Sequence, residues 1–133
     1  RRYCAYPPSK CLRKIEYLPH VKVIEEQQKT HVLLLLINNT PNAKGIVTGK
    51  FFEYMASGRP ILAIGPEDGD VADIIKETGV GEIVGYDELE KLKERMKGLM
   101  KTKTLQNDTK SINDYSREEL TKSLVIELNK LSK

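Results

Sequence analysis

Residues 31–37 read HVLLLLI. Val32 to Ile37 are all apolar, so this stretch has no polar face. A strand of that kind is buried on both sides, as in a parallel sheet covered by helices. The run is far too short to cross a bilayer, which takes about 20 apolar residues. Short apolar runs are assigned from their flanks, and here the flanks favour a strand.

On the C-terminal side comes a polar loop, NNTPNAKG, from Asn38 to Gly45. Thr48 is placed to cap a helix over Gly49–Ser57, and Gly58 to stop it in a left-handed conformation. Within that helix Phe52, Met55 and Ala56 fit a core-facing stripe. Ile61–Ile64 reads as a second buried strand. Gly65 to Gly69 form a turn, Asp70 caps a helix, and Gly79 ends it. Val80–Val84 is a further strand. Asp87 with Glu90 forms a capping-box pattern before Leu89, Leu92, Met96 and Leu99, which recur at helical spacing. Thr102 to Asn113 is polar and reads as loop. Ser116 with Glu119 is a second capping box, opening a C-terminal helix over 115–131.

On the N-terminal side His20–Thr30 reads as a helix with Val21, Ile24 and Gln28 on one face. Leu12–Tyr17 has weak β character and is stopped by Pro19. Residues 1–11 are a basic, proline-containing, irregular lead-in. Strands alternating with helices at this spacing predict an α/β fold. The expected architecture is a Rossmann-like parallel sheet of about four strands, with helices on both faces, in one domain over 1–133. Doubly wound domains usually have more strands, so it reads as a partial one.

Composition narrows the function. The chain has 133 residues, 39% of them hydrophobic and 31% charged, which is a globular composition. Lys and Arg number 22 against 19 Asp and Glu, for a net charge of +3. No basic track or aromatic interleaving marks a nucleic-acid footprint, and there is no Trp. Cys4 and Cys11 match neither a zinc knuckle nor a redox pair. Two reduced thiols fit a cytoplasmic protein. Asp68 and Asp70 resemble a metal-binding pair on paper, but they read as turn and cap residues, and no metal is expected. His20 and His31 have no evident catalytic partners. The charge pattern of DELEKLKERMK is a solvated helix face. The C-terminal helix has an apolar stripe and lysines. Packing on the domain is the simpler use, with peripheral association at the inner face of a membrane as the other.

In open α/β sheets ligands sit beyond the carboxyl ends of the strands. The loop after the leucine strand feeds a helix that opens Thr48-Gly49-Lys50. Free N–H groups at a helix start attract anions, and the macrodipole adds about half a positive charge there. Gly49 leaves room for close approach, Thr48 adds a hydroxyl and Lys50 a full charge. The same tripeptide also reads as a plain cap with a solvated lysine. It is not a P-loop, because Phe51 follows Lys50 where Ser or Thr is required. Glu53, one turn further on, can accept hydrogen bonds from a vicinal diol such as a ribose; it also reads as an ordinary glutamate near a helix start.

The segment AKGIVTGKFFEYMASGRPILAIGPEDGDVADIIKETGVG, from Ala43 on, resembles the nucleotide-sugar-binding C-terminal domain of group-1 retaining glycosyltransferases, which have two Rossmann-like domains (the GT-B fold). The resemblance covers about residues 12–100. Glu53-Tyr54-Met55-Ala56-Ser57-Gly58-Arg59-Pro60 is its most specific part. It implies a nucleotide-diphosphate sugar as donor and no metal or other cofactor. It implies that Glu53 holds the donor ribose, that Ile46–Lys50 surround the phosphates, and that the Leu18 backbone meets the base. His20 lies beside that cleft, and Asn38, Asn39 and Thr40 fall toward the donor sugar. Three features depart from the family. Gly45 stands where a carboxylate is common, Glu16 stands where glycine is usual, and the basic pair that neutralises the diphosphate has no counterpart.

The resemblance further implies that the chain starts partway through a C-terminal domain, with the acceptor-binding N-terminal domain missing. Such a chain is expected to bind donor weakly and not to turn over. It is also expected to self-associate, as a homodimer or by domain swapping, because uncovered sheet edges seek partners. Two other readings stand beside this one. The chain is a non-catalytic Rossmann-like interaction module, or it is part of a nucleotide-sugar epimerase.

Overall fold

The computed structural model describes residues 14–101 and 109–131. The lead-in, both cysteines, Leu12 and residues 102–108 of the expected loop lie outside them. The described chain runs α1 (His20–Lys29), β1 (Leu33–Leu36), a short 3-10 turn (Ala43–Gly45), α2 (Gly49–Ala56), β2 (Ile61–Ile64), α3 (Asp70–Thr78), β3 (Gly81–Val84), α4 (Leu89–Lys101), α5 (Thr109–Asp114) and α6 (Arg117–Leu131). No helix among the described residues is long and apolar enough to cross a membrane.

The sheet is parallel, in the order β1-β2-β3. Leu33 stands opposite Ile61, and Ile61 opposite Gly81. Two apolar layers enclose it. On one face Leu35, Ile37 and Ala63 pack with Phe51 and Met55 of α2 and with Val71, Ala72 and Ile75 of α3. Ile112 and Tyr115, from α5 and its exit, close this layer. On the other face Leu62 and Val84 lie under Leu99 and Leu92 of α4. Helices on both faces are therefore present.

The expected fourth strand, Leu12–Tyr17, is not present among the described residues. Residues 14–19 form no strand. Ile15, Glu16 and Leu18 instead line a groove with Val23 and Gln27 of α1 and Tyr54 of α2. The segment covers this groove, which Leu33 at the start of β1 also lines, without making a strand ladder to β1. Among the described residues this leaves β1 at the edge of the sheet. Leu33 and Leu35 are buried, but Leu34 is 52% and Leu36 63% exposed. The leucine run was expected to be covered on both sides, and only one side is.

Other local readings change in detail. Val21 is 68% exposed, and the inward side of α1 carries Val23 and Gln27 rather than Val21 and Gln28. In α2 the buried residues are Phe51 and Met55; Phe52 is half-buried and Ala56 exposed. The cap of α3 is Gly69, with Asp70 and Asp73 in the first turn, where the helix dipole favours them. At α4 the Gly85 N–H donates to Glu88 Oε2 at 3.2 Å, so Glu88 serves there rather than an Asp87–Glu90 box. Residues 109–113, read as loop, belong to α5 because Ile112 and Tyr115 dock on the core. Ser116 does cap α6, accepting the Glu119 N–H at 3.3 Å. Gly58 and Gly79 have φ of +69° and +67°, the left-handed stops expected of them.

Candidate functional site

All three strands point their carboxyl ends the same way, so the loops after β1, β2 and β3 share one edge of the sheet. The first of these loops carries most of the candidate residues. Asn38, Asn39 and Thr40 leave β1 and are exposed. The Thr40 N–H donates to the Asn38 carbonyl at 3.0 Å, and the Thr40 hydroxyl to Asn42 Oδ1 at 3.0 Å. The chain then tightens into the 3-10 turn, where the Ala43 N–H reaches the Thr40 carbonyl at 2.9 Å and Ala43 is buried.

Thr48 occupies the cap position of α2 in extended conformation, φ −89° and ψ 151°. Its side chain makes no capping bond, contrary to the expected cap; its carbonyl accepts the Phe51 N–H at 3.0 Å. The hydroxyl is thus not spent on the helix. Gly49 and Lys50 follow, both exposed. A Cβ built on Gly49 meets nothing within 4 Å, and its φ lies outside the left-handed region. Neither packing nor backbone conformation demands glycine there.

Glu53 lies four residues after Gly49 and three after Lys50, so the three share one side of α2. It is exposed. Beside it, burial raises the Tyr54 phenol above its ordinary value, and the Glu53 charge adds to the effect. Tyr54 and Leu18 line the same groove of about 370 Å³, so the structure brings Leu18 beside the helix that carries Glu53. The Gln27 Oε1 atom in this groove is buried without a hydrogen-bond partner. His20 opens α1 and is exposed, as is His31.

Residues from the other two loops meet the first. The Tyr86 hydroxyl, after β3, donates to the Asn38 carbonyl at 3.2 Å. Lys44 pairs with Asp68, after β2, at 2.5 Å, and this hydrogen bond holds the Asp68 carboxyl below its usual range. Asp68 is thereby committed to a lysine. Among the described residues no group of three or more His, Cys, Asp or Glu is arranged to hold a metal. Lys91 of α4 bridges Glu67 and Glu88 at 2.6 and 3.1 Å, and these contacts raise its pKa, Glu67 most. Tyr86 and Gly69 were not candidates from the sequence, and Asp68 was weighed there only as half of a metal-binding pair and read as a turn residue. The usable signal was their place directly after parallel strands, which brings them to the ligand edge.

No family model matches the chain, no curated protein matches it, and no solved structure matches it.

Proposed function

We propose that this chain is the donor-binding part of a glycosyltransferase that takes a sugar from a nucleotide-diphosphate donor. The observation that carries this reading is the open start of α2 at the carboxyl edge of a parallel sheet. There Gly49 is glycine without a structural need, and Thr48 keeps its hydroxyl free of the helix. Close approach of an anion accounts for both.

In this reading the amides at the start of α2 and the Lys50 ammonium stabilise the charge that develops as the diphosphate leaves. Glu53 accepts hydrogen bonds from the ribose diol. Leu18, at the groove beside Tyr54, faces the nucleoside, with His20 at its rim. Asn38, Asn39 and Thr40 lie toward the sugar. Holding donor and acceptor together requires both lobes of a cleft, so this chain alone binds donor and does not turn it over. The sequence resemblance over residues 12–100 supports the same assignment.

The test is calorimetric titration with UDP, GDP and ADP and their sugars. The expected result is selective binding of one nucleoside diphosphate, weakened at least about tenfold in Glu53→Ala, as befits loss of charge-assisted hydrogen bonds. Binding that is unchanged in Glu53→Ala removes the ribose role, and absence of binding to all three removes the proposal for this chain.

A further inference from the structure

We infer that Gly69 and Tyr86 are positioning residues, holding the loop from Asn38 to Thr48 in its ligand-ready shape before any ligand arrives. This deepens the donor-site reading and rests on it for the identity of the ligand.

The loop has few anchors of its own. Ala43 is its buried side chain, Val47 near its far end packs half-buried on the core, and short backbone bonds fold it: Ala43 N–H to Thr40, Gly45 N–H to Asn42 and Ile46 N–H to Ala43, at 2.9 to 3.2 Å. A loop so lightly packed opens easily unless something outside holds it. The loops after β2 and β3 supply that hold at two separate points.

The first is Gly69. Its φ of −111° and ψ of 172° suit any residue, so conformation does not explain the glycine. Space does. A Cβ there would stand 2.7 Å from the Lys44 carbonyl oxygen and 3.0 Å from the Lys44 Cα. These are backbone atoms, which cannot swing aside. The backbone of the first loop therefore rests directly on Gly69. The neighbouring Lys44–Asp68 pair lies at the same junction, but both side chains are about two-thirds exposed, so it contributes little by itself.

The second point is Tyr86. Its hydroxyl takes the Asn38 carbonyl, where the chain leaves β1. The bond spans 48 residues and ties the loop after β3 to the loop after β1. The loop is thus held near its start by Tyr86 and at its 3-10 turn by Gly69. Its far end is the cap of α2. A preformed loop loses less entropy when it meets its ligand than a loose one does.

The experiment compares the chain with Gly69→Ala and Tyr86→Phe by amide hydrogen exchange in NMR. Exchange at Ala43, Gly45 and Ile46 is expected to rise about tenfold in Gly69→Ala and about threefold in Tyr86→Phe, while amides of β2 keep their protection. The variants are then titrated with the nucleoside diphosphate that the unaltered chain binds, and affinity is expected to fall in step with loop opening. Unchanged loop exchange in a folded variant overturns the inference. So does a loosened loop that binds as tightly as before. Should Gly69→Ala not fold, Tyr86→Phe decides alone, since it removes one oxygen at a half-buried site. If the unaltered chain binds none of UDP, GDP and ADP, the donor-site reading fails, and loop exchange alone decides whether the two residues hold the loop.

Discussion

The Tyr115 hydroxyl donates to Glu77 Oε2 at 2.7 Å, fastening the junction of α5 and α6 to α3. The Tyr115 ring also lies against Phe52 of α2, with ring centroids 6.4 Å apart. Tyr115, together with Ile112, therefore docks the C-terminal helices on the α2–α3 layer.

This contact has a pH signature. The Glu77 hydrogen bond, with some burial, pushes the Tyr115 phenol up to about 12, against 10.0 ordinarily. The neutral phenol is the form that the fold favours. Its contribution is complete below the unfolded value of about 10 and is lost as pH rises toward 12. Tyrosinate absorbance is expected to show a late-titrating component that is absent in Tyr115→Phe. That variant should lose about 1 kcal/mol near neutral pH and show a shallower loss of stability in alkali.

Leu35 and Leu36 are neighbours of the same residue type in one strand, with opposite fates. Leu35 is 3% exposed and Leu36 63%. Urea unfolding should show Leu35→Ala losing about 2–5 kcal/mol. Leu36→Ala should stay within about 0.5 kcal/mol. Equal losses would mean that the outer face of β1 is covered in solution.

Two glycines separate by the space around them. A Cβ on Gly81 would stand 1.9 Å from the Ile61 carbonyl oxygen, so Gly81→Ala must push β3 off β2 and is expected to prevent stable folding. Gly49→Ala meets open space and replaces glycine in a helix, so stability should hold or rise by up to about 1 kcal/mol. The same change should weaken nucleoside-diphosphate binding. Thermal melts and titration of the two variants check both halves.

Ser116 accepts the Glu119 N–H at the start of α6. Ser116→Ala should cost about 1 kcal/mol of helix stability, and Ser116→Asp should restore most of it. Far-UV circular dichroism through a denaturant series reads the difference.

The legible parts of the fold are those with local causes. Gly58 and Gly79 stop their helices in the left-handed region, where glycine is least strained. Ser116 caps α6 because a short hydroxyl can reach an orphan amide. Met55 is buried as the expected stripe of α2 places it, although Phe51 rather than Ala56 completes that buried side. The candidate residues of α2 were legible for the same reason: a helix start and the side shared by Gly49, Lys50 and Glu53 follow from spacing. Thr48 shows the limit, since it takes the cap position while its side chain makes no cap.

The sequence by itself determined the order of helices and strands from α1 to α4, the final helix α6 and the parallel α/β class, because period, caps and breakers act within a few residues; α5, read as loop, was decided by its docking on the core. Tertiary structure alone decided that β1 is an edge strand with one bare leucine face, because burial depends on what lies across from a side chain. It also decided that Tyr86 reaches Asn38 and that Lys44 rests on Gly69. Those contacts join residues 48 and 25 positions apart, and only the side-by-side pairing of parallel strands brings their loops to one edge.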